Sequence, residues 1–149
     1  MSDTAFRVVE ISVSAEEAAR RAVVVRQWLA ERGLVTLDDD NRVDVVVERV
    51  VHHAFGNYDP PSCPGCGAAV DDSAHHDLVE PWFSAGFEGS LTCVSCGLST
   101  LAGDLVGPWG FHVGELAVVF LNWPPLPPVV VAELGAVMGP RPRVVLTRT

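Results

Sequence analysis

The sequence contains no lysine, and all ten of its basic residues are arginines. None of them falls between Val50 and Pro140. Gripping a phosphate backbone requires lysine or arginine side chains, so this stretch argues against direct nucleic-acid binding. The same stretch carries nine acids: Asp59, Asp71, Asp72, Asp77, Glu80, Glu88, Asp104, Glu115 and Glu133. The flanks hold ten acids against ten arginines, which leaves the whole net charge of −9 in the middle of the chain. Such a segment suits a protein partner with a basic surface, not a nucleic acid or an anionic membrane.

Other absences narrow the classes further. No uninterrupted apolar run is long enough for a membrane span. The longest candidate, Leu116 to Ala132, contains Asn122, Pro124, Pro125, Pro127 and Pro128. The opening MSDTAFRVVE has neither a basic n-region nor an apolar h-region, so no signal peptide is expected and a cytoplasmic location is. There is no G-x-S-x-G, no Walker loop, no G-x-G-x-x-G after a strand and no H-E-x-x-H. These absences do not exclude an enzyme, but they leave no nucleophile with a base beside it to name, and a non-enzymatic role is expected. Its 149 residues, 48% of them hydrophobic, fit one packed domain over 1–149.

Periodicity sets out the elements. FRVVEISV (6–13) reads as a strand ending at Ser14, which forms a capping-box signature with Glu17. The helix that follows repeats Ala18, Ala22, Val25, Trp28 and Leu29 on one face and stops at Gly33. Its Arg20, Arg21, Arg26 and Arg32 are diluted by Glu16, Glu17 and Glu31, as on a solvated amphipathic face. LVTL (34–37) reads as a short strand. In RVDVVVERVVHHAFG, Val43, Val46, Val47, Val50, Val51 and Ala54 recur at helical spacing, and Asp40 or Asn41 is available as a cap. A helix is expected there, although Val43, Val45 and Val47 also alternate as in a strand. One helical turn near Ser73–Val79, then a loop from Pro81, should lie between the cysteine pairs. A buried strand over 116–123, a stiff PPLPP link, a short helix and a closing strand complete the chain. A strand–helix unit thus stands at each end, and the fold class is α+β: a small mixed sheet with flanking helices.

The four cysteines form two C-x2-C-G pairs, Cys63-Pro-Gly-Cys66-Gly67 and Cys93-Val-Ser-Cys96-Gly97. A two-residue gap turns both sulfurs of a pair toward one point, and the following glycine allows the left-handed backbone this needs. Four thiolates in a tetrahedron are the closed structural site for Zn2+. These residues resemble the zinc-ribbon family, whose CPxCG knuckles sit on two β-hairpins. The resemblance covers about residues 61–99 and implies a structural zinc on Cys63, Cys66, Cys93 and Cys96, within an inserted module at 57–103. The chain also resembles bacterial zinc-ribbon proteins that carry an N-W-P-P-L stretch, a likeness that brings no function with it. Rival readings are a rubredoxin-like iron centre for electron transfer, thiol redox chemistry at CPGC, and a catalytic zinc.

Histidines offer a further alternative. His75, His76 and Asp77, beside Asp71 and Asp72, suggest a metal-dependent hydrolase-like site, although a hydrophilic loop is the plainer reading. His52 and His53 point in different directions, and His112 reads as a loop or strand-edge residue. The PxxP spacing at 124–128 suits either a docking ligand or a rigid link. Trp82, Phe83, Phe87, Trp109, Phe111 and Trp123 form either a core or an exposed apolar patch, and burial is expected. The expected function is a zinc-stabilised acidic protein-protein interaction module: an adaptor, an accessory subunit or an inhibitor of the immunity type.

Overall fold

The computed structural model describes residues 3–148. It opens with strand β1 (Thr4–Glu10) and helix α1 (Ala15–Glu31). Ser14 caps the helix as its sequence suggests, the side chain accepting the Glu17 N–H at 3.2 Å. At the other end of the chain, β7 (Leu116–Leu121) leads through the proline link to α4 (Pro128–Met138) and β8 (Pro142–Arg148). With β2 (Arg42–Val46) these strands form one sheet in the order β2-β7-β1-β8.

The fold is α+β as expected, but every pairing in the sheet is antiparallel where a mixed sheet was anticipated. The reason is topological. Each strand–helix–strand unit does return its second strand parallel to its first, yet the two units interleave. β7 lies between β1 and β2, and β1 lies between β7 and β8. This is the split β-α-β, or ferredoxin-like, strand order.

Both faces of the sheet are covered. On one face, α1 and α4 bury Ala18, Ala22, Val25, Leu29, Leu134 and Met138 against Val8, Leu116, Val118 and Phe120. On the other, Val9, Ala117 and Val145 meet residues supplied by the long segment between β2 and β7. That segment contributes β3 (Val50–His53) paired with β6 (Phe111–Gly114), and the short helices α2 (Asp72–His76) and α3 (Val79–Ala85). Among the described residues no helix is long and apolar enough to cross a membrane.

Three expectations change. Residues 42–55 are two strands, not a helix: Val43 and Val45 pack into the helical layer's core, while Val46 and Val51 pack into the opposite core. A sheet buried on both faces makes valine at every position favourable, and so produces spacing that also fits a helix. Residues 34–37 lie outside the sheets, with Thr36 Oγ1 accepting the Val43 N–H at 3.0 Å. Pro81 does not end a helix but sits in the first turn of α3, where its missing N–H has no helical partner to lose.

One buried carboxylate ties the sheet together. Glu10 is fully buried; Oε1 accepts the Ser12 N–H at 2.6 Å and Oε2 accepts the Arg141 N–H at 2.8 Å. Gly139 passes so close that a Cβ there would lie 2.5 Å from Oε2. Glu10→Gln places an amide donor against one of these N–H groups. It is expected to lower unfolding stability by about 1–3 kcal/mol in a denaturant titration.

Candidate metal centre and its acidic surroundings

The two cysteine knuckles are built the same way. In the first, Cys63 N–H donates to Ala68 O and Gly67 N–H to Cys63 O, both at 2.9 Å. In the second, Cys93 N–H donates to Leu98 O and Gly97 N–H to Cys93 O, both at 2.8 Å. Gly67 and Gly97 share the same left-handed φ of 77°, which a side chain would strain. The second knuckle caps the hairpin of β4 (Ser90–Thr92) and β5 (Ser99–Leu101). The first is closed by a Ser62–Ala69 bridge, and Ser62 also bridges to Val106.

These turns bring all four sulfurs within 4.8 Å of one another. Cys63 Sγ lies 3.7 Å from Cys96 Sγ, and Cys66 Sγ lies 3.6 Å from Cys93 Sγ. A disulfide would need about 2.05 Å. Four sulfurs bonded at about 2.3 Å to one tetrahedral ion would stand roughly 3.8 Å apart, which the observed pairs match. Cys63, Cys66, Cys93 and Cys96 can therefore hold a metal ion together. Among the described residues no other group of three or more histidine, cysteine or carboxylate side chains converges in this way. Backbone N–H groups of Cys96 and Ser95 pull the Cys93 thiol down to about 6, which favours the thiolate a metal requires. At Cys96 the Leu98 N–H acts in the same sense, but burial and the neighbouring sulfurs outweigh it and push the thiol up to about 11.

The charge segregation seen along the chain is partly undone in space. Arg141 makes a bidentate pair with Glu88 at 2.7 and 2.9 Å, and both Arg141 and Arg143 reach Asp104, at 2.8 and 2.7 Å. Arg49 pairs with Glu115 at 3.1 Å while donating to the carbonyls of Trp82 and Phe83 at the end of α3. Arg32 pairs with Glu133 at 2.7 Å. Sequence reasoning missed these pairs, although Arg141 and Arg143 flank Pro142, the first residue of the closing strand, at a spacing that favours one face. Of the nine acids between Val50 and Pro140, five take no arginine partner among the described residues: Asp59, Asp71, Asp72, Asp77 and Glu80. They lie on or beside α2, and the fields of Asp72, Asp59 and Asp71 all reach the Tyr58 hydroxyl, raising its pKa alongside burial, the main cause. On α1, Arg20 and Arg21 pair with Glu16 and Glu17.

All five histidines of the chain line the β3–β6 ribbon. His52 and His112 are cross-strand partners, both buried, so His112 is a core residue and not the loop or edge residue expected. Among the described residues His52 Nε2 and His112 Nδ1 find no hydrogen-bond partner, and His112 lies edge-on to Trp82. His75 is also buried, stacked 3.9 Å from Phe111, with Nδ1 2.7 Å from Tyr58 Oη. His53 Nδ1 accepts the Phe55 N–H at 2.7 Å, so its Nε2 carries the hydrogen and faces His76 Nε2 at 3.3 Å. His76 Nδ1 in turn lies 2.8 Å from Asp72 Oδ1. A cation on His53 Nε2 would put a proton on Nδ1, against the Phe55 N–H. His75, His76 and Asp77 thus do not meet at one point: each histidine is engaged elsewhere, and Asp77 is the exposed C-cap of α2.

The aromatic residues divide. Trp82 and Phe111 are buried, Trp123 packs edge-on against Phe120, and Phe83 and Phe87 are exposed. Trp123 thereby anchors the proline link to the core, with Pro124, Pro125, Pro127 and Pro128 at the surface.

Burial lowers the pKa of His52 and His75 to about 4 and that of His112 to about 3, with nearby Arg7, His76 and Arg143 respectively adding to the effect. A folded pKa below the ordinary 6.5 means that the unfolded chain takes up protons more readily. The stability contributed by these neutral rings is full above about pH 6.5 and is lost as pH falls toward 4 and 3. Thiolate protonation adds to the same slope, so the informative quantity is the difference between wild type and His112→Phe. The variant's thermal midpoint is expected to fall less steeply between pH 6.5 and 4; identical slopes would refute a buried neutral His112.

In comparisons with known proteins, no family model, no curated protein and no solved structure significantly matches this chain.

Proposed function

We propose that this protein is a zinc-stapled interaction module that docks a partner with a basic surface, acting as an adaptor, an accessory subunit or an inhibitor. The observation that carries this reading is where the unpaired acid ends up. Arginines from the two ends of the chain neutralise Glu88, Asp104, Glu115 and Glu133, yet Asp59, Asp71, Asp72, Asp77 and Glu80 take no arginine, and Asp71 lines a groove with Cys63 and Cys93. Four thiolates on a divalent ion leave a further net negative charge there. A surface of one sign steers an oppositely charged partner and repels phosphate backbones.

In this reading the metal is zinc held in a zinc-ribbon arrangement, in a cytoplasm reducing enough to keep the thiols free. Four protein sulfurs leave no open coordination position for substrate, so the ion's role is to fix the knuckles. The purified protein is expected to be colourless and to carry one zinc per chain. Stripping it with a chelator should broaden the amide signals of residues 62–70 and 90–100 while those of β1, β7 and β8 persist. A red protein with iron absorption, or unchanged spectra after stripping, would contradict this.

The charge reading is tested by Asp71→Asn, Asp72→Asn and Asp77→Asn combined, because asparagine preserves the N-cap at position 71. Partner retained from native cells should be released by salt and be bound at least about tenfold less well by the neutralised variant, roughly 1.4 kcal/mol. Retention that ignores both ionic strength and these substitutions would count against the proposal.

A further inference from the structure

Resting on that reading, we infer that the groove between the second knuckle and α2 is where the partner docks. Its occupant is one apolar side chain of about leucine size, flanked by arginine or lysine. The groove is walled by Ala69, Val70, Ala74, Leu91, Val94 and Leu98, and floored by Cys63 and Cys93. Its volume is about 210 Å³. That is smaller than the roughly 300–1,000 Å³ of small-molecule sites, so it suits a single side chain and not a cofactor.

Two observations name the chemistry of the occupant. Val94, between the cysteines of the second knuckle, is 101% exposed, and Leu98 is 43% exposed, so the rim presents apolar surface that no described residue covers. Leu98 is held in place, since it packs over Gly65 closely enough that a Cβ there would lie 2.9 Å from its Cδ2. The charged side chain on the wall is Asp71, no arginine lines the groove, and Asp77 caps the other end of the same helix. The arginines that fold back onto this part of the chain are engaged at Glu88, Asp104 and Glu115, and none of them lines the groove. An apolar slot with acid along one side complements an apolar anchor between cations.

The test is a titration of metal-loaded, isotope-labelled full chain with three synthetic peptides, GRRLRRG, GRRSRRG and GEELEEG, followed by amide chemical shifts. The leucine-basic peptide is expected to shift Ala69, Val70, Ala74, Leu91, Val94 and Leu98. It should bind at least about tenfold more tightly than the serine peptide, as burial of one leucine implies. Val94→Asp should remove that advantage while leaving the metal content and thermal midpoint unchanged, because Val94 supports no core. Equal binding of the leucine and serine basic peptides, weakened by salt, overturns the groove and leaves the acidic reading standing. Equal binding of the acidic and basic leucine peptides overturns the acidic reading and with it the stated occupant. Absence of binding by all three at millimolar concentration overturns both.

Discussion

The middle of this chain depends on the crowding of four sulfurs within 4.8 Å of one another. As thiols they would exchange only weak hydrogen bonds, and as thiolates they would repel: two unit charges at 4 Å interact by about 4 kcal/mol at an effective dielectric of 20. A divalent ion at the centre reverses the sign of that energy. Such an ion would also close the loop from Cys66 to Cys93, which holds two short helices and one buried tryptophan but little other core. The two knuckles share the shape this needs, through two matching pairs of backbone hydrogen bonds and two left-handed glycines. Binding an ion would stabilise these turns.

Around that centre, charge does two separate jobs. Arg141 and Arg143 reach from the sheet frame to Glu88 and Asp104 and fasten the inserted segment to the split β-α-β scaffold, while Arg49 and Glu115 pair the two ends of that segment. These pairs are partly shielded from solvent and include the bidentate Arg141–Glu88 geometry, which distinguishes them from the exposed i, i+4 pairs of α1. The acids on α2 and its neighbours take no arginine, and one of them, Asp71, shares a groove with exposed Val94 and Leu98. The same fold therefore consumes acid where the insert meets the frame and leaves it where the insert meets solvent.

Much of this was legible in the residues. The helix at Ala15–Glu31, with its serine cap, follows from periodicity, as do the strands at both ends, and the four cysteines converge as their spacing implies. What could not be read depends on contacts distant in sequence. Valines at 43, 45 and 46 serve two cores on opposite faces, a pattern that local spacing cannot separate from a helix. The antiparallel sheet arises from the interleaving of two units that are each parallel within themselves. His112 looked peripheral among glycines and prolines, yet register places it against His52 in the interior. A charge count along the chain located the acid but could not show which carboxylates the distant arginines would take.

The claim that four thiolates of one chain enclose one structural ion is tested most directly by X-ray absorption at the zinc edge on the purified protein. A single shell of four sulfurs at about 2.3 Å is the result this account predicts. A shell containing nitrogen or oxygen donors, or sulfur pairs at the roughly 2.05 Å of disulfides, would contradict it.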